Sequence, residues 1–196
     1  MSRRWLRATA ASATLFAGLF VAAAALSPSP RLIWNASPSV PIGFYTVDPG
    51  RRPDVGELAL IAPPPDVAAL LAARGYVPRG VPLLKRVAAK PGTLVCRSGV
   101  FITIDGAPAA RARDADRLGR PLPQWLGCRR LQPGQLFLLN AAPDSLDGRY
   151  FGPISDTGLI GTARPLATRD ALGTPLRWRR APLPASPFPT AKDISS

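Results

Sequence analysis

Apolar positions along the chain fall into one long unbroken run followed by many short ones. The long run, Ala8 to Leu26, carries no charge over 19 residues. At a rise of about 1.5 Å per residue, a helix of that length just crosses a hydrocarbon core of about 30 Å. Arg3, Arg4 and Arg7 precede it and the next charge is Arg31. The positive-inside rule therefore keeps the stub in the cytoplasm and sends the body to the outer face, which in a Gram-negative cell is the periplasm. The competing reading is a cleaved signal peptide processed near Ala22 to Ala25. The run is longer than the usual signal core of about 7 to 15 residues, which favours a retained anchor, and either reading exports the rest.

The short runs have the period of strands and are bounded by turn residues. They lie at 31–35, 43–47, 57–62, 83–89, 93–97, 100–104, 135–139 and 159–163. Pro91-Gly92 and Pro133-Gly134 each stand just ahead of a strand, and Ser98-Gly99 reads as a hairpin turn. One helix is expected, with Asp66 as N-cap, Val67, Leu70 and Leu71 on its apolar side and Gly75 as terminator. Residues 105–130 are rich in Arg and Asp without apolar periodicity and read as a long charged loop. The pattern predicts a mainly antiparallel β domain behind one N-terminal membrane helix. Its expected divisions are a stub and anchor over 1–28, a folded body over 29–170, and a Pro-rich, basic, disordered tail over 171–196.

Composition narrows the chemistry. The 196 residues are 46% hydrophobic, which suits a folded core. The formal charge is +13, but the arginines are scattered and do not alternate with exposed aromatics, so no nucleic-acid partner is expected. Attraction to acidic lipids beside the membrane, or a genome that favours Arg codons, is the plainer reading of the charge. The chain has no histidine. That removes triads built on His and the usual zinc sites, and no metal or cofactor is expected. Only three cations are lysines, Lys85, Lys90 and Lys192.

Three segments carry candidate chemistry. In Asn35-Ala-Ser-Pro-Ser-Val-Pro-Ile-Gly-Phe-Tyr45, Pro38 and Pro41 stiffen the backbone on either side of Ser39. A rigid turn suits a nucleophile, since the attack geometry and a backbone NH for an oxyanion are set in advance. Ser37 could add a hydroxyl donor, although the segment also reads as an ordinary Ser-Pro turn. In the second segment Lys85 interrupts an apolar strand and shares a face with Leu83, Val87 and Ala89, while Arg86 points the other way. Burial there disfavours the ammonium form, and a neutral amine can take a proton from serine. A snorkelling edge lysine is the plainer alternative. Lys90 reads as solvated. In the third, Ser145 could orient the lysine amine while Asp147 and Arg149 form a supporting ion pair; alone it is a capped loop.

In order, Ser-x-Pro-x-Gly-x-Tyr, Lys-Arg-Val and Ser-x-Asp-x-Arg-Tyr-Phe-Gly-Pro resemble the serine-lysine signal peptidase family, and most of all its conjugative-transfer branch, the TraF peptidases. The resemblance covers about residues 31–166. It implies a nucleophile at Ser39, a base at Lys85, oxyanion donors at Ser37 and Ser39, a lysine partner at Ser145 and structural support from Asp147 and Arg149. General leader peptidases have Gly-Asp-Asn where this chain has Leu139-Asn140-Ala141, and Ser-Met where it has Ser39-Val40; Gly148 replaces a common serine. These departures favour the TraF branch and leave Asn140 without an assigned role. The resemblance further implies a substrate that is a prepilin or another exported precursor, a place in the inner membrane, and association with conjugation machinery.

Cys96 and Cys128 are the only cysteines. In an oxidising compartment such a pair reads as a disulfide closing the charged loop, with two separate buried thiols as the alternative. Other functions kept open are a general leader peptidase, a non-catalytic periplasmic scaffold of the conjugation channel, and a basic DNA-binding subunit. Hydrolysis and acyl transfer to an amine are both compatible with the motifs.

Overall fold

A computed structural model describes residues 3–26 and 29–179. It divides into two units, residues 1–30 and 31–196. In the first, α1 (Arg3–Leu26) is a single helix whose Arg3–Ala23 stretch is long and apolar enough to cross a membrane. Its apolar side chains, Leu15, Phe16, Leu19 and Phe20 among them, are exposed, as lipid-facing residues would be.

The second unit is mainly antiparallel β. In chain order it contains β1 (Leu32–Asn35), β2 (Ile42–Pro49), β3 (Leu58–Ile61), α2 (Pro65–Ala73), β4 (Leu83–Ala89), β5 (Leu94–Ser98), β6 (Phe101–Ile104), β7 (Ala107–Arg111), β8 (Gly127–Arg130), β9 (Gln135–Leu138), α3 (Gly148–Phe151), β10 (Ile154–Ser155), β11 (Leu159–Arg169) and β12 (Arg177–Trp178). The larger sheet runs β1-β2-β11-β3-β4-β9-β10, with β12 on β11, and the smaller runs β7-β6-β5-β8.

Each of the eight expected strands is present. β2 keeps the strict alternation of a half-buried strand, whereas β4 is buried on both faces apart from Arg86. Val40, Tyr45, Leu58, Leu60, Leu84 and Ala163 pack in one apolar cluster drawn from β2, β3, β4, β11 and the turn before β2. A second cluster seats Val67 and Leu71 of α2 against Ile61, Val87 and Leu138. The third lies under the smaller sheet, where Val95, Ile102 and Ile104 meet Trp125, Phe137 and Leu139.

Four sequence expectations shift. Asp66 lies within the first turn of α2 and Pro64 is its N-cap, because Pro65 at the first helical position presets the helical φ one residue earlier; Gly75 follows the helix at φ 69° as its terminator. The hairpin loop between β5 and β6 is Gly99-Val100, since Ser98 pairs with Phe101. The stretch 105–130 is structured: Asp105-Gly106, both at positive φ, turns β6 into β7, and β8 pairs with β5. Past residue 170, Trp178 pairs with Ala167, so packing continues beyond the expected boundary; the rest of the expected tail, from 180, lies outside the described residues.

Candidate active site

The turn that carries Ser39 is organised by Asn35. Its Nδ2 donates to the carbonyls of Ser37 (2.7 Å), Pro41 (3.2 Å) and Val40 (3.3 Å), and its Oδ1 accepts from Ser37 N at 3.1 Å. Beneath the turn the buried Tyr45 hydroxyl donates to Pro41 O at 2.6 Å, and burial pushes its pKa above the ordinary phenol value. Gly43 is required at φ 149°, because a Cβ there would come within 2.2 Å of Ala167 O, where β11 bulges. The Gly and Tyr of the first motif therefore fix the backbone that holds the serine. Ser37 Oγ donates to Ser39 Oγ at 3.2 Å, and Ser39 N donates to Ser37 Oγ at 3.3 Å.

Lys85 lies opposite Ala59 in β3 and is only 6% exposed. Its Nζ donates to Ser145 Oγ at 2.8 Å. Loss of water around the amine lowers its pKa from the ordinary lysine value to about 8; the nearby Asp147 opposes that shift and Arg149 adds to it. About a tenth of such amines are neutral at pH 7. Ser39 and Lys85 line one cavity of about 500 Å³, together with Ser145. Among the described residues no hydrogen bond joins Ser39 to Lys85.

The loop bearing Ser145 is pinned at both ends. Asp147 caps α3 by accepting from Arg149 N at 3.2 Å, and its Oδ2 accepts from Asn140 N at 3.0 Å and lies 3.4 Å from Arg149 Nη2. Burial pushes the Asp147 carboxyl up, while Arg149, Lys85 and the two backbone donors pull it back. Arg149 donates to the carbonyls of Asn140, Ala142 (3.0 Å) and Pro143 (3.1 Å). Gly148 leaves no space for a larger residue, as a Cβ would meet the Phe137 ring at 2.7 Å and Leu138 O at 2.8 Å.

Asn140 has a role that the sequence left unassigned. Its Oδ1 accepts from Arg86 N at 2.9 Å and its Nδ2 donates to Leu84 O at 3.3 Å. One side-chain amide thus continues the β4–β9 ladder across Lys85 after β9 has ended. Lys90, expected in solvent, pairs at the surface with Asp54 at 2.6 Å. Cys96 and Cys128 are bonded to each other and join β5 to β8, away from the cavity.

The stiff serine turn and the buried lysine therefore share one cavity. Residues 2–167 match the signal peptidase, peptidase S26 family, and the chain belongs to that family. Its relatives include the conjugal transfer protein TraF of Agrobacterium fabrum (strain C58 / ATCC 33970), 40% identical over 146 residues, covering 69% of this chain and 82% of that protein. The conjugal transfer protein TraF of Agrobacterium tumefaciens (strain 15955) is 38% identical over 166 residues, covering 78% and 92%. A crystal structure of a signal peptidase I from Enterococcus faecalis V583 is similar at 18% identity and a TM-score of 0.33, covering 57% of this chain and 97% of that one.

Proposed function

We propose that the chain is a membrane-anchored serine endopeptidase of conjugation, in which Ser39 is the nucleophile and Lys85 the general base. Residues 1–28 form the cytoplasmic stub and anchor, and the body from residue 29 works on the periplasmic side of the inner membrane. The substrate is an exported precursor, a prepilin for a type IV secretion system. The names of the relatives support that setting, and the buried Lys85 amine beside Ser145 in the cavity of Ser39 carries the reading.

Ser39 Oγ turns from Ser37 toward the amine as substrate fills the cavity, since catalytic hydrogen bonds tighten on binding. Oγ attacks the scissile carbonyl carbon while neutral Lys85 takes the hydroxyl proton. The oxyanion that forms is held by Ser39 N and, after a rotation, the Ser37 hydroxyl. Collapse breaks the C–N bond, the ammonium returns the proton to the leaving amine, and an acyl-enzyme remains on Ser39. Water, activated by the same amine, releases the acid; a precursor amine attacking in its place would join two ends.

The test compares wild type, Ser39→Ala and Lys85→Ala for precursor maturation in cells with equal protein abundance. Both variants should leave the precursor unprocessed. Maturation that survives Lys85→Ala would remove the base from the mechanism.

A further inference from the structure

The cavity extends from the serine-lysine pair toward a cationic flank. Arg74, Arg113, Arg117 and Arg120 line it, with Asp116 and Asp144 as its acids. Both acids are already satisfied. Asp116 accepts from the Tyr76 hydroxyl, from Arg120 Nε at 2.7 Å, and from the backbone NH groups of Leu118 and Arg120 at 2.9 Å. Asp144 pairs with Arg117. Arg74 and Arg113 take part in no ion pair among the described residues. Among the described residues, Arg74 Nη1 is buried without a hydrogen-bond partner. A buried donor left unsatisfied is costly, and an incoming acceptor relieves that cost. Two guanidinium groups without counter-ions offer the fork geometry that matches a carboxylate.

We infer that the Arg74–Arg113 flank is a subsite for a carboxylate of the substrate chain, either an acidic side chain a few residues from the cleaved bond or the free terminal carboxylate of a short segment to be removed. The inference rests on Ser39 and Lys85 marking the point of cleavage. The subsite discriminates by charge, whereas the apolar lining from Leu71, Val77 and Leu83 discriminates by size.

Binding tests it without turnover. Fluorescein-labelled Ala-Ala-Glu-Glu-Ala, its Gln-Gln and Lys-Lys versions, and each with a free or amidated C-terminus, are titrated by anisotropy against the full chain in neutral detergent micelles. The Glu-Glu peptide should bind about tenfold tighter than Gln-Gln, and Lys-Lys weakest. If amidation removes the gain and Glu-to-Gln exchange does not, the terminal carboxylate is the group bound. Arg113→Gln should abolish most of the preference and leave binding of the amidated Gln-Gln peptide, which has no carboxylate, unchanged, and Arg113→Lys should retain part of it. Arg113 is exposed and its side chain has no hydrogen-bond partner among the described residues, so this variant should keep the fold; a melting curve checks Arg74→Gln. Equal binding of all six peptides, or an undiminished preference in the Arg74→Gln, Arg113→Gln double variant, overturns the inference. Ser39→Ala should keep the preference. Cleavage of the Glu-Glu peptide by Ser39→Ala would defeat the peptidase reading and leave the subsite standing.

Discussion

Lys85 Nζ donates to Ser145 Oγ at 2.8 Å, while Ser39 Oγ accepts from the Ser37 hydroxyl. On the proposed mechanism Ser145 is therefore a positioning residue. Ser145→Ala should lower kcat by about a hundredfold, the scale of a misplacement near 1 Å, with KM little changed. A steady-state assay on a cleavable precursor peptide reads the split, and an unchanged kcat would rule out the role.

The lowered pKa of Lys85 fixes the sign of the pH response. If Lys85 is the base, as proposed, neutral amine is the active form and kcat/KM should rise with pH through about 8 and then level. The same shift bears on stability. Between about pH 8 and the unfolded lysine value of about 10.4, the unfolded chain binds more protons than the folded one. Stability therefore climbs through that window and is lowest, by about 3 kcal/mol, below it. Lys85→Met should remove activity and raise the melting temperature at pH 7; a lower melting temperature with intact packing would contradict the burial penalty.

Asn140→Leu leaves Arg86 N without its acceptor and frees β4 beside the amine. It should cost about 1 to 3 kcal/mol of stability and cut kcat. Urea denaturation gives the first quantity and the peptide assay the second. Asn140→Asp, which keeps the acceptor, should recover part of the stability.

The Cys96–Cys128 bond spans a sequence separation of 32. Reduction should cost about 3 to 4 kcal/mol on the loop-entropy account. Because neither sulfur lies in the cavity wall, activity below the new melting temperature should persist. Calorimetry with and without dithiothreitol, with activity measured alongside, checks both halves.

The sequence made the core strands legible because apolar alternation is local, and Lys85 stood out because its apolar neighbours advertise burial. The stretch 105–130 was misread for a physical reason. β8 is exposed throughout and β7 lacks branched or aromatic residues, so neither shows the usual pattern, and charge density masked the Asp105-Gly106 turn. The cationic flank was hidden because Asp116 is satisfied by Tyr76, 40 residues away. Ser39, Lys85 and Ser145 could be named from motifs. Asn140 could not, because its partners belong to a strand more than 50 residues earlier.

In the larger sheet, β11 and β3 lie between the strand that follows Ser39 and the strand that bears Lys85. The last-made of these, β11, is inserted between two that precede it in the chain. On the proposed mechanism, a nascent polypeptide halted before residue 159 holds every reactive group but lacks the strand that joins β2 to β3. Cleavage by Ser39 and Lys85, as proposed, would then await that final long strand and spare the half-made protein and its neighbours.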